Sequence, residues 1–396
     1  MPDKGITYID EVDIQNKRVL LRADFDVSLN PNYTIADDAR IKQNLPTIEF
    51  LLKKHNRLIC IAKLDRPKNR DPKYSMKVVV QRLKQLLPHN KIRLVDEFLT
   101  ANNKIFAEQE TGEILVLENM RYYEENKKND QTFAKKLASL ADIYVNDGFA
   151  MSHRTEAWVV SVPKYIPSFG GLLLKKEIKM ISKTVKKPKK PFVAIIGGAK
   201  IETKINLISK LTEMADYVLI GGGLANTFLC AHGYEIGKSY CEYDKVTMAR
   251  HLLFLAAQKK TAIVLPSDVI IGDPDDDKNG GRVVKVNQIP KGAVALDIGP
   301  ETKAKFGAVI SKAKTIVWNG PIGYFENPAY RQGTDFVYYS IAGNRDAISI
   351  VGGGDTLAAI SKKEYLNTIT HVSTGGGAML EFIEKGKLPG IEALKR

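Results

Sequence analysis

Short runs of apolar, largely β-branched residues recur along this chain of 396 residues, and each run ends abruptly in glycine or polar side chains. Segments with the apolar spacing of helices, such as Ile41–Leu52 and Ile205–Met214, lie between the runs. Continuous apolar runs that alternate with helices are typical of parallel strands buried on both faces. The pattern therefore predicts an α/β protein with doubly wound sheets. The predicted strands are Arg18–Ala23, Arg57–Ala62, Glu113–Glu118, Asp142–Asn146, Phe192–Ile196, Tyr217–Gly221, Ala262–Leu265, Thr315–Trp318 and Ile348–Val351.

The alternating pattern falls into two similar halves, and a chain of this length exceeds what one hydrophobic core usually organises. We therefore predict two Rossmann-like doubly wound domains, each with a mainly parallel sheet, joined by a helical hinge. A helical stretch, Leu172–Val185, runs into a lysine- and proline-rich segment, where Pro188 and Pro191 are expected to close the helix. The last residues could pack on either half. The predicted ranges are 1–170 for the first domain, 171–188 for the helix and linker, and 189–385 for the second domain.

The formal net charge of +14 raises the hypothesis of a nucleic-acid-binding protein. The lysines are spread along the chain, however, as on the solvated faces of ordinary helices. Such a charge also suits a protein that handles anionic small molecules, so charge alone leaves both hypotheses open. No apolar run reaches the roughly 18 residues that a membrane helix needs, and the first residues lack the apolar segment of a signal peptide. We expect a cytoplasmic protein without membrane or nucleic-acid partners.

Cationic side chains cluster behind the predicted strands of the first half. Ligands of open parallel sheets bind beyond the carboxyl ends of the strands, so these residues are expected to share one sheet edge. Each arginine alone could be a surface charge or a salt-bridge partner. Together they favour a site for a phosphate or carboxylate, because guanidinium groups pair with such oxygens in a bidentate manner. The residues concerned are Asp24, Asp26, Arg40, Lys63, Arg66, Arg121 and Arg154.

Glycine-rich turns occupy the corresponding positions in the second half. Glycine lets the backbone approach a ligand closely, and helix N-termini present free N–H groups to phosphate. A single turn of this kind is weak evidence, but the recurrence predicts a nucleotide site with Lys200 on phosphate and Asp355 near a magnesium ion. The turns are Gly197–Lys200, Gly221–Gly223, Trp318–Gly323, Gly352–Thr356 and Ser373–Ala378.

Two standard nucleotide motifs nearly match and fail. The segment HGYEIGKS is one residue short of a P-loop, and no predicted strand precedes it. The segment GGGLAN has Asn226 where the dinucleotide fingerprint requires a third small residue. Neither a Walker-type kinase nor an NAD enzyme is supported.

The sequence resembles the phosphoglycerate kinase family from about Asp13 to the C-terminus. The matching motifs occur in the family's order, and WNGPIGYFE, GGGDT and STGGGA are the most specific of them. The others are KRVLLRADFDV, DDARI, LDRPK, LENMRYYEEN, YVNDGFAMSHR, GGAKIETKI, YEIGKS and LDIGPET.

The resemblance implies a monomeric two-domain hinge enzyme of glycolysis that transfers a phosphoryl group from 1,3-bisphosphoglycerate to ADP, giving 3-phosphoglycerate and ATP. It also implies that residues 386–396 pack back on the first domain and that Mg²⁺ enters with the nucleotide, near Asp355. The implied catalytic residues are Arg40, Lys200, Gly353 and Gly376. The implied phosphoglycerate-binding residues are Asp24, Phe25, Asp26, Arg40, Lys63, Leu64, Asp65, Arg66, Arg121 and Arg154. The implied nucleotide-binding residues are Gly198, Lys200, Lys204, Gly222, Gly223, Asn319, Pro321, Glu326, Gly353, Gly354, Asp355 and Thr356.

Departures from the family pattern all fall on the substrate side. Asp26 replaces the usual Asn, Lys63 the usual His, Asp65 a Gly, and Glu156 a His. If the substrate is 3-phosphoglycerate, Asp65 is expected to point away from it, with Lys68 as a candidate partner. Two alternatives remain open here: a related kinase for another small acid, and a nucleic-acid-binding or scaffold protein that kept the fold without catalysis.

Overall fold

The computed structural model describes residues 4–100, 104–275 and 281–395. The chain divides into two compact units, one of Met1–Lys179 with Lys385–Arg396 and one of Met180–Glu384. Residues 1–3, 101–103, 276–280 and 396, which belong to the domain ranges predicted above, lie outside the described residues. Within the described part of the chain, no helix is long and apolar enough to cross a membrane.

The first unit is built on a six-stranded sheet with the order β5-β6-β4-β1-β7-β8. All neighbouring strands in this sheet are parallel. β2 and β3 form a separate antiparallel pair. The strands are β1 (Arg18–Arg22), β2 (Ser28–Leu29), β3 (Ile35–Asp37), β4 (Arg57–Ile61), β5 (Ile92–Val95), β6 (Ile114–Leu117), β7 (Ile143–Asn146) and β8 (Ser168–Gly170).

Helices cover both faces of this sheet, which explains why its central strands are buried at nearly every position. Val19 and Leu21 of β1 pack into a core with Ile48 of the first helix, whereas Leu20 points to the other face and is equally buried. The helices are α1 (Ala39–Lys53), α2 (Lys77–Leu86), α3 (Lys104–Ala107), α4 (Glu124–Lys127), α5 (Gln131–Ala138) and α6 (Leu172–Lys186). α6 ends shortly before Pro188, and the division between the units falls within it.

The second unit repeats this plan with a six-stranded parallel sheet in the order β11-β10-β9-β15-β16-β17. A three-stranded antiparallel sheet, β13-β12-β14, stands beside it. Trp318 and Phe306 are fully buried in the main core. The strands are β9 (Phe192–Ile196), β10 (Tyr217–Ile220), β11 (Ala262–Val264), β12 (Asp268–Gly272), β13 (Arg282–Lys285), β14 (Val294–Ile298), β15 (Thr315–Asn319), β16 (Ile348–Gly352) and β17 (His371–Ser373).

The remaining helices surround the second sheet, except the last one. They are α7 (Ile205–Thr212), α8 (Gly223–Ala231), α9 (Val246–Gln258), α10 (Pro300–Lys312), α11 (Gln332–Gly343), α12 (Gly354–Ala359), α13 (Gly377–Lys385) and α14 (Pro389–Glu392). α14 belongs to the first unit, where the Gly390 N–H donates to the Ser152 carbonyl at 2.8 Å and the Asn146 amide donates to the Gly390 carbonyl at 3.2 Å.

All nine apolar runs are strands, and the predicted fold class is confirmed. The strands that were not predicted are of three kinds. β5, β8 and β17 are sheet-edge strands with only partly buried sequences, β12, β13 and β14 belong to the three-stranded antiparallel sheet, and β2 and β3 form the short separate pair. β13 buries only Val284 of its four residues, so it lacks the continuous apolar run that parallel strands require.

Candidate active site

Both groups of predicted site residues follow strands at the centre of their sheets. β1 lies between β4 and β7, and β9 lies between β10 and β15. In each case the chain reaches the two flanking strands by connections that run in opposite directions along the sheet. Such topological switch points open a crevice beyond the carboxyl ends of the strands, where ligands of α/β proteins bind.

Behind β1, Asp24 is held in place from both its backbone and its side chain. Asn44 of α1 accepts the Asp24 N–H at 3.2 Å and donates to the Asp24 carbonyl at 3.1 Å. Arg40 Nη1 lies 3.3 Å from Asp24 Oδ1. Burial raises the pKa of the Asp24 carboxyl above its ordinary value, while the Arg40 charge acts in the opposite direction. Asp24 therefore serves as an anchor for Arg40.

A second carboxylate, Asp26, lies between two cations. Its Oδ2 is paired with the Lys63 ammonium, and Arg40 Nη1 lies 3.6 Å from the same oxygen. Its Oδ1 accepts the Asp65 backbone N–H at 2.8 Å. Lys63 is buried, so Asp26 provides the counter-charge that lets this ammonium remain inside the protein. We call Asp26, Lys63 and Arg40 the Asp26 cluster.

The other predicted substrate residues divide into buried and exposed ones. Phe25 and Leu64 are fully buried and hold the two loops in the core. Arg66 and Arg154 are exposed and form no ion pair with a described residue. The Asp65 carboxylate accepts the Arg66 backbone N–H at 2.8 Å, so the structure gives it a local backbone partner in place of Lys68.

Arg121 lies in a short 3₁₀ turn after β6 and is mostly buried. Its Nη1 donates to Glu156 Oε1 at 2.9 Å, and only 15% of its side chain is exposed. Asn119 accepts the Arg121 N–H at 3.0 Å and the Leu64 N–H at 3.2 Å, which ties this turn to the loop after β4. The Arg121 backbone is therefore fixed beside the loop that carries Lys63.

In the second unit, the loops after β9 and β15 meet around Lys204. Lys204 Nζ donates to the Gly197 carbonyl. A Cβ at Gly198 would lie 3.0 Å from that nitrogen, and a Cβ at Gly320 would lie 2.7 Å from it. Burial lowers the pKa of Lys204 to about 8, and Asp355 acts against this effect. Glycine is thus required here to make room for a cation.

The loop after β16 packs on the end of β15. Gly353 has φ of 117°, a conformation open to glycine, and a Cβ there would lie 2.5 Å from Asn319 Nδ2. Asn319 donates to the Gly352 carbonyl at 2.6 Å, and Thr356 Oγ1 accepts the Gly320 N–H at 2.7 Å. Gly376 of the next loop lies alongside, since its Cβ would be 3.9 Å from the Gly353 Cα. The four turns after β9, β15, β16 and β17 therefore form one glycine-lined edge.

A cavity of about 380 Å³ opens at this edge. One side is glycine backbone from the loops after β9 and β10, and the other is formed largely by apolar side chains of the antiparallel sheet, including Val269 and Leu296. Glu326 and Tyr324 lie at its exposed margin. Of the predicted nucleotide residues, the cavity is lined by Gly198, Gly222, Gly223, Pro321 and Glu326. Lys200 and Asp355 are exposed and do not line it.

Asp355 is the residue that could hold a metal ion here. It lies in the first turn of α12, directly after the Gly353 loop, and is exposed. No group of three or more metal-ligating side chains occurs within residues 4–100, 104–275 and 281–395. Mg²⁺ at phosphoryl-transfer sites is typically bound by one or two carboxylates together with substrate phosphates and water. The single carboxylate therefore fits a magnesium ion that arrives with a nucleotide.

Comparison with known proteins agrees with this geometry. The family model described as phosphoglycerate kinase matches residues 9–387. The chain belongs to the phosphoglycerate kinase family. It is therefore an enzyme, a kinase that performs the phosphoryl transfer of glycolysis, and the predicted family and enzyme class are confirmed.

Phosphoglycerate kinases from distant organisms are similar along their whole length. The enzyme of Pelotomaculum thermopropionicum is 41% identical over 385 residues, covering 97% of this chain and 98% of the relative. A cytosolic phosphoglycerate kinase of Nicotiana tabacum is 41% identical over 394 residues, covering 99% and 98%. The solved phosphoglycerate kinase structure from Coxiella burnetii superimposes with a TM-score of 0.86 at 36% identity, covering 98% of each chain.

Sequence reasoning missed the residues that hold the predicted site residues in place. Asn44 and Asn119 support the loops that carry the predicted substrate residues from buried positions, and Asn126 and Trp158 surround Glu156. Asn44 falls at a core-facing position of a predicted helix, which is the one local signal that could have found it. The others are recognisable only once distant segments are brought together.

Proposed function

We propose that the first unit binds 3-phosphoglycerate or 1,3-bisphosphoglycerate at the edge behind β1, β4, β6 and β7. The support is a set of cations at one sheet edge, with Arg40 and Lys63 positioned by Asp24 and Asp26. The exposed guanidinium groups of Arg66 and Arg154 are available to phosphate or carboxylate oxygens, which they can bind in a bidentate manner. The predicted substrate-binding residues remain proposals on this basis.

The second unit is proposed to bind ADP or ATP in the glycine-lined cavity. The cavity is the observation that carries this assignment, because it combines apolar walls suited to a base with a glycine backbone that a ligand can approach closely. Lys204 lies behind one of the lining glycines, Gly198, and its charge suits phosphates bound beside the cavity. Glu326 at the margin is placed to accept hydrogen bonds from a ribose. Asp355 would hold the magnesium ion, which neutralises phosphate charge when it is bound.

For the transfer itself, we assign charge stabilisation to Arg40, Lys200 and the backbone around Gly353 and Gly376. Phosphoryl transfer asks mainly for in-line positioning and for fixed charges around the equatorial oxygens. Since the proposed sites belong to different units, we infer that the units close on each other to exclude water. We also propose a monomer, as the family resemblance implies, and the cytosolic relative supports a cytoplasmic location.

Lys200→Ala tests the proposed function. An assay that couples the consumption of 3-phosphoglycerate and MgATP to NADH oxidation should show kcat falling on the order of 10²–10³-fold, since one preorganised charge is lost from the transition state. The matched control is Lys305→Ala, which removes another exposed lysine, on α10, and should leave kcat unchanged. A Lys200→Ala enzyme within about threefold of the wild type would remove Lys200 from the mechanism.

A further inference from the structure

Glu156 is a buried carboxylate that receives hydrogen bonds from three different segments. Its Oε1 accepts Arg121 Nη1 at 2.9 Å, and its Oε2 accepts the Trp158 indole N–H at 2.8 Å and the Asn126 amide at 3.2 Å. Only 7% of the residue is exposed. A carboxylate removed from water in this way is retained only when its oxygens are fully hydrogen-bonded or paired with a charge, and Glu156 has both.

The donors around Glu156 permit only an acceptor at this position. The guanidinium and the indole N–H have no acceptor to offer. The Asn126 amide is also oriented, because its Oδ1 already accepts the Trp158 backbone N–H at 3.1 Å, which turns its Nδ2 towards Glu156. A glutamine at 156 would direct its own NH₂ group at one of these donors. The carboxylate is therefore required by its hydrogen bonding and not by its size alone.

These contacts hold Arg121 at both ends. The backbone N–H of Arg121 is bound by Asn119, and its guanidinium is bound by Glu156. Glu156 is itself fixed, since Trp158 is 1% exposed and packs under the Arg22 guanidinium, with 5.4 Å between the charge and the ring centroid. The Nη1 atom of Arg121 is thus hydrogen-bonded inside the protein, and this contact sets the direction in which the remaining edge of the guanidinium points.

We propose that Glu156 is a positioning residue of the phosphoglycerate site, acting through Arg121. It aligns the guanidinium so that its remaining edge meets the anionic substrate without losing side-chain entropy on binding. Glu156 also lies two residues after Arg154 in the chain, so the same contact fixes the loop that carries a second proposed substrate arginine. This inference rests on the proposed assignment of Arg121 to substrate binding.

The test is a double-mutant cycle on the KM for 3-phosphoglycerate. Glu156→Gln should raise this KM by about 10-fold or more, because one partner of a buried charge pair is lost. The KM for MgATP should change by less than about threefold, because the nucleotide is proposed to bind in the other unit. The value of kcat should also change by less than about threefold, because an interaction made equally in the ground state and the transition state affects KM alone. Glu125→Gln, which changes an exposed side chain of α4, is the matched control and should leave all three constants unchanged.

The cycle separates positioning from a merely structural role. If Glu156 acts through Arg121, Glu156→Gln should add less than about twofold to the KM of an Arg121→Ala enzyme. An equal increase in both backgrounds would overturn the proposal, and so would an unchanged KM for Glu156→Gln alone. An Arg121→Ala enzyme with an unchanged KM would instead refute the assignment of Arg121, and with it the proposed substrate site.

Glu156→Asp keeps the cycle decisive if the glutamine variant does not fold. The shorter carboxylate still offers only acceptors, but it is one methylene group too short to reach all three donors. The KM for 3-phosphoglycerate should then rise by about threefold or more, again only when Arg121 is present. An unchanged KM in this variant would overturn the proposal.

Discussion

At the scale of single residues, the Asp26 cluster places a negative charge where an anionic substrate is proposed to bind. Asp26 pairs with Lys63 and lies 3.6 Å from Arg40, so it takes up part of the positive charge of both groups. A bound phosphoglycerate must compete with this carboxylate or tolerate its repulsion. An asparagine at 26 would still accept the Asp65 N–H through its side-chain oxygen, so the loop geometry would be preserved.

We predict that Asp26→Asn leaves the KM for 3-phosphoglycerate unchanged or lowers it by up to about fivefold. Removing a negative charge near a bound anion at the protein surface makes the binding free energy more favourable by on the order of 1 kcal/mol. Steady-state kinetics at fixed MgATP provide the measurement. Asp13→Asn, which breaks the exposed 3.0 Å ion pair with Lys54 in the same unit, is the control and should have no effect. A KM raised about tenfold would mean that Asp26 is needed to position Lys63.

At the scale of secondary-structure elements, the start of α6 depends on a buried carboxylate. Asp147, directly after β7, accepts the backbone N–H groups of Leu173 at 2.8 Å and Leu174 at 3.2 Å. These are first-turn donors that the helix itself cannot satisfy. Burial raises the pKa of Asp147 to about 7, although the hydrogen bonds and the Arg22 charge oppose the shift. The cap therefore titrates near neutral pH.

A carboxyl group whose pKa is raised on folding makes stability fall as the pH rises from the unfolded pKa, about 3.9, to the folded value. Below that range both states are protonated, so the cost of the buried charge is absent. Above pH 7 the carboxyl group is ionised in both states, and the full free-energy cost of burying its charge is present. We predict that Asp147→Asn, which keeps the capping oxygen, gains unfolding free energy relative to the wild type between pH 4 and pH 8.

Asp147→Ala should lose about 1 kcal/mol at pH 5, as the loss of a helix cap does. Urea unfolding at several pH values, followed through Trp158 fluorescence with every variant made in a Trp318→Phe background, provides the measurement, because Trp318 lies in the second unit. The control is Asp130→Asn, because Asp130 caps α5 from an exposed position by accepting the Phe133 N–H at 2.7 Å. A pH-independent difference between wild type and Asp147→Asn would contradict the titration of this cap.

At the scale of the whole molecule, the division of the proposed sites between two units makes a prediction about ligand binding. Only a complex with both substrates bridges the two units, so it should shift the population towards a closed form more than either ligand alone. Small-angle X-ray scattering should show the smallest radius of gyration with 3-phosphoglycerate and a non-hydrolysable MgATP analogue together. The same radius in the apo, binary and ternary states would refute closure.

Much of this fold was determined by local sequence pattern. Continuous apolar runs such as Phe192–Ile196 can be satisfied only by strands covered on both faces, and all nine of them are strands in the two parallel sheets. The polar and glycine residues after these runs identified both sheet edges, because the carboxyl ends of parallel strands meet there. Arg40, Lys63 and the Gly353 loop were therefore within reach of sequence reasoning, whereas Lys204 was assigned only through the family resemblance.

What the tertiary structure decided lies in contacts between residues far apart in the chain. The Arg121–Glu156 pair spans 35 positions, and Arg40–Asp24 spans 16. The pairing of Asp26 with Lys63 and the depressed pKa of Lys204 also follow from which loops come together. The antiparallel sheet that walls the cavity was not predicted. Its outer strand β13 is exposed at three of four positions, whereas β12 and β14 are buried along most of their length through packing that only the folded chain shows. A single sequence records which side chains are available, whereas burial and hydrogen-bond partners, which set charge and orientation, exist only after the chain has folded.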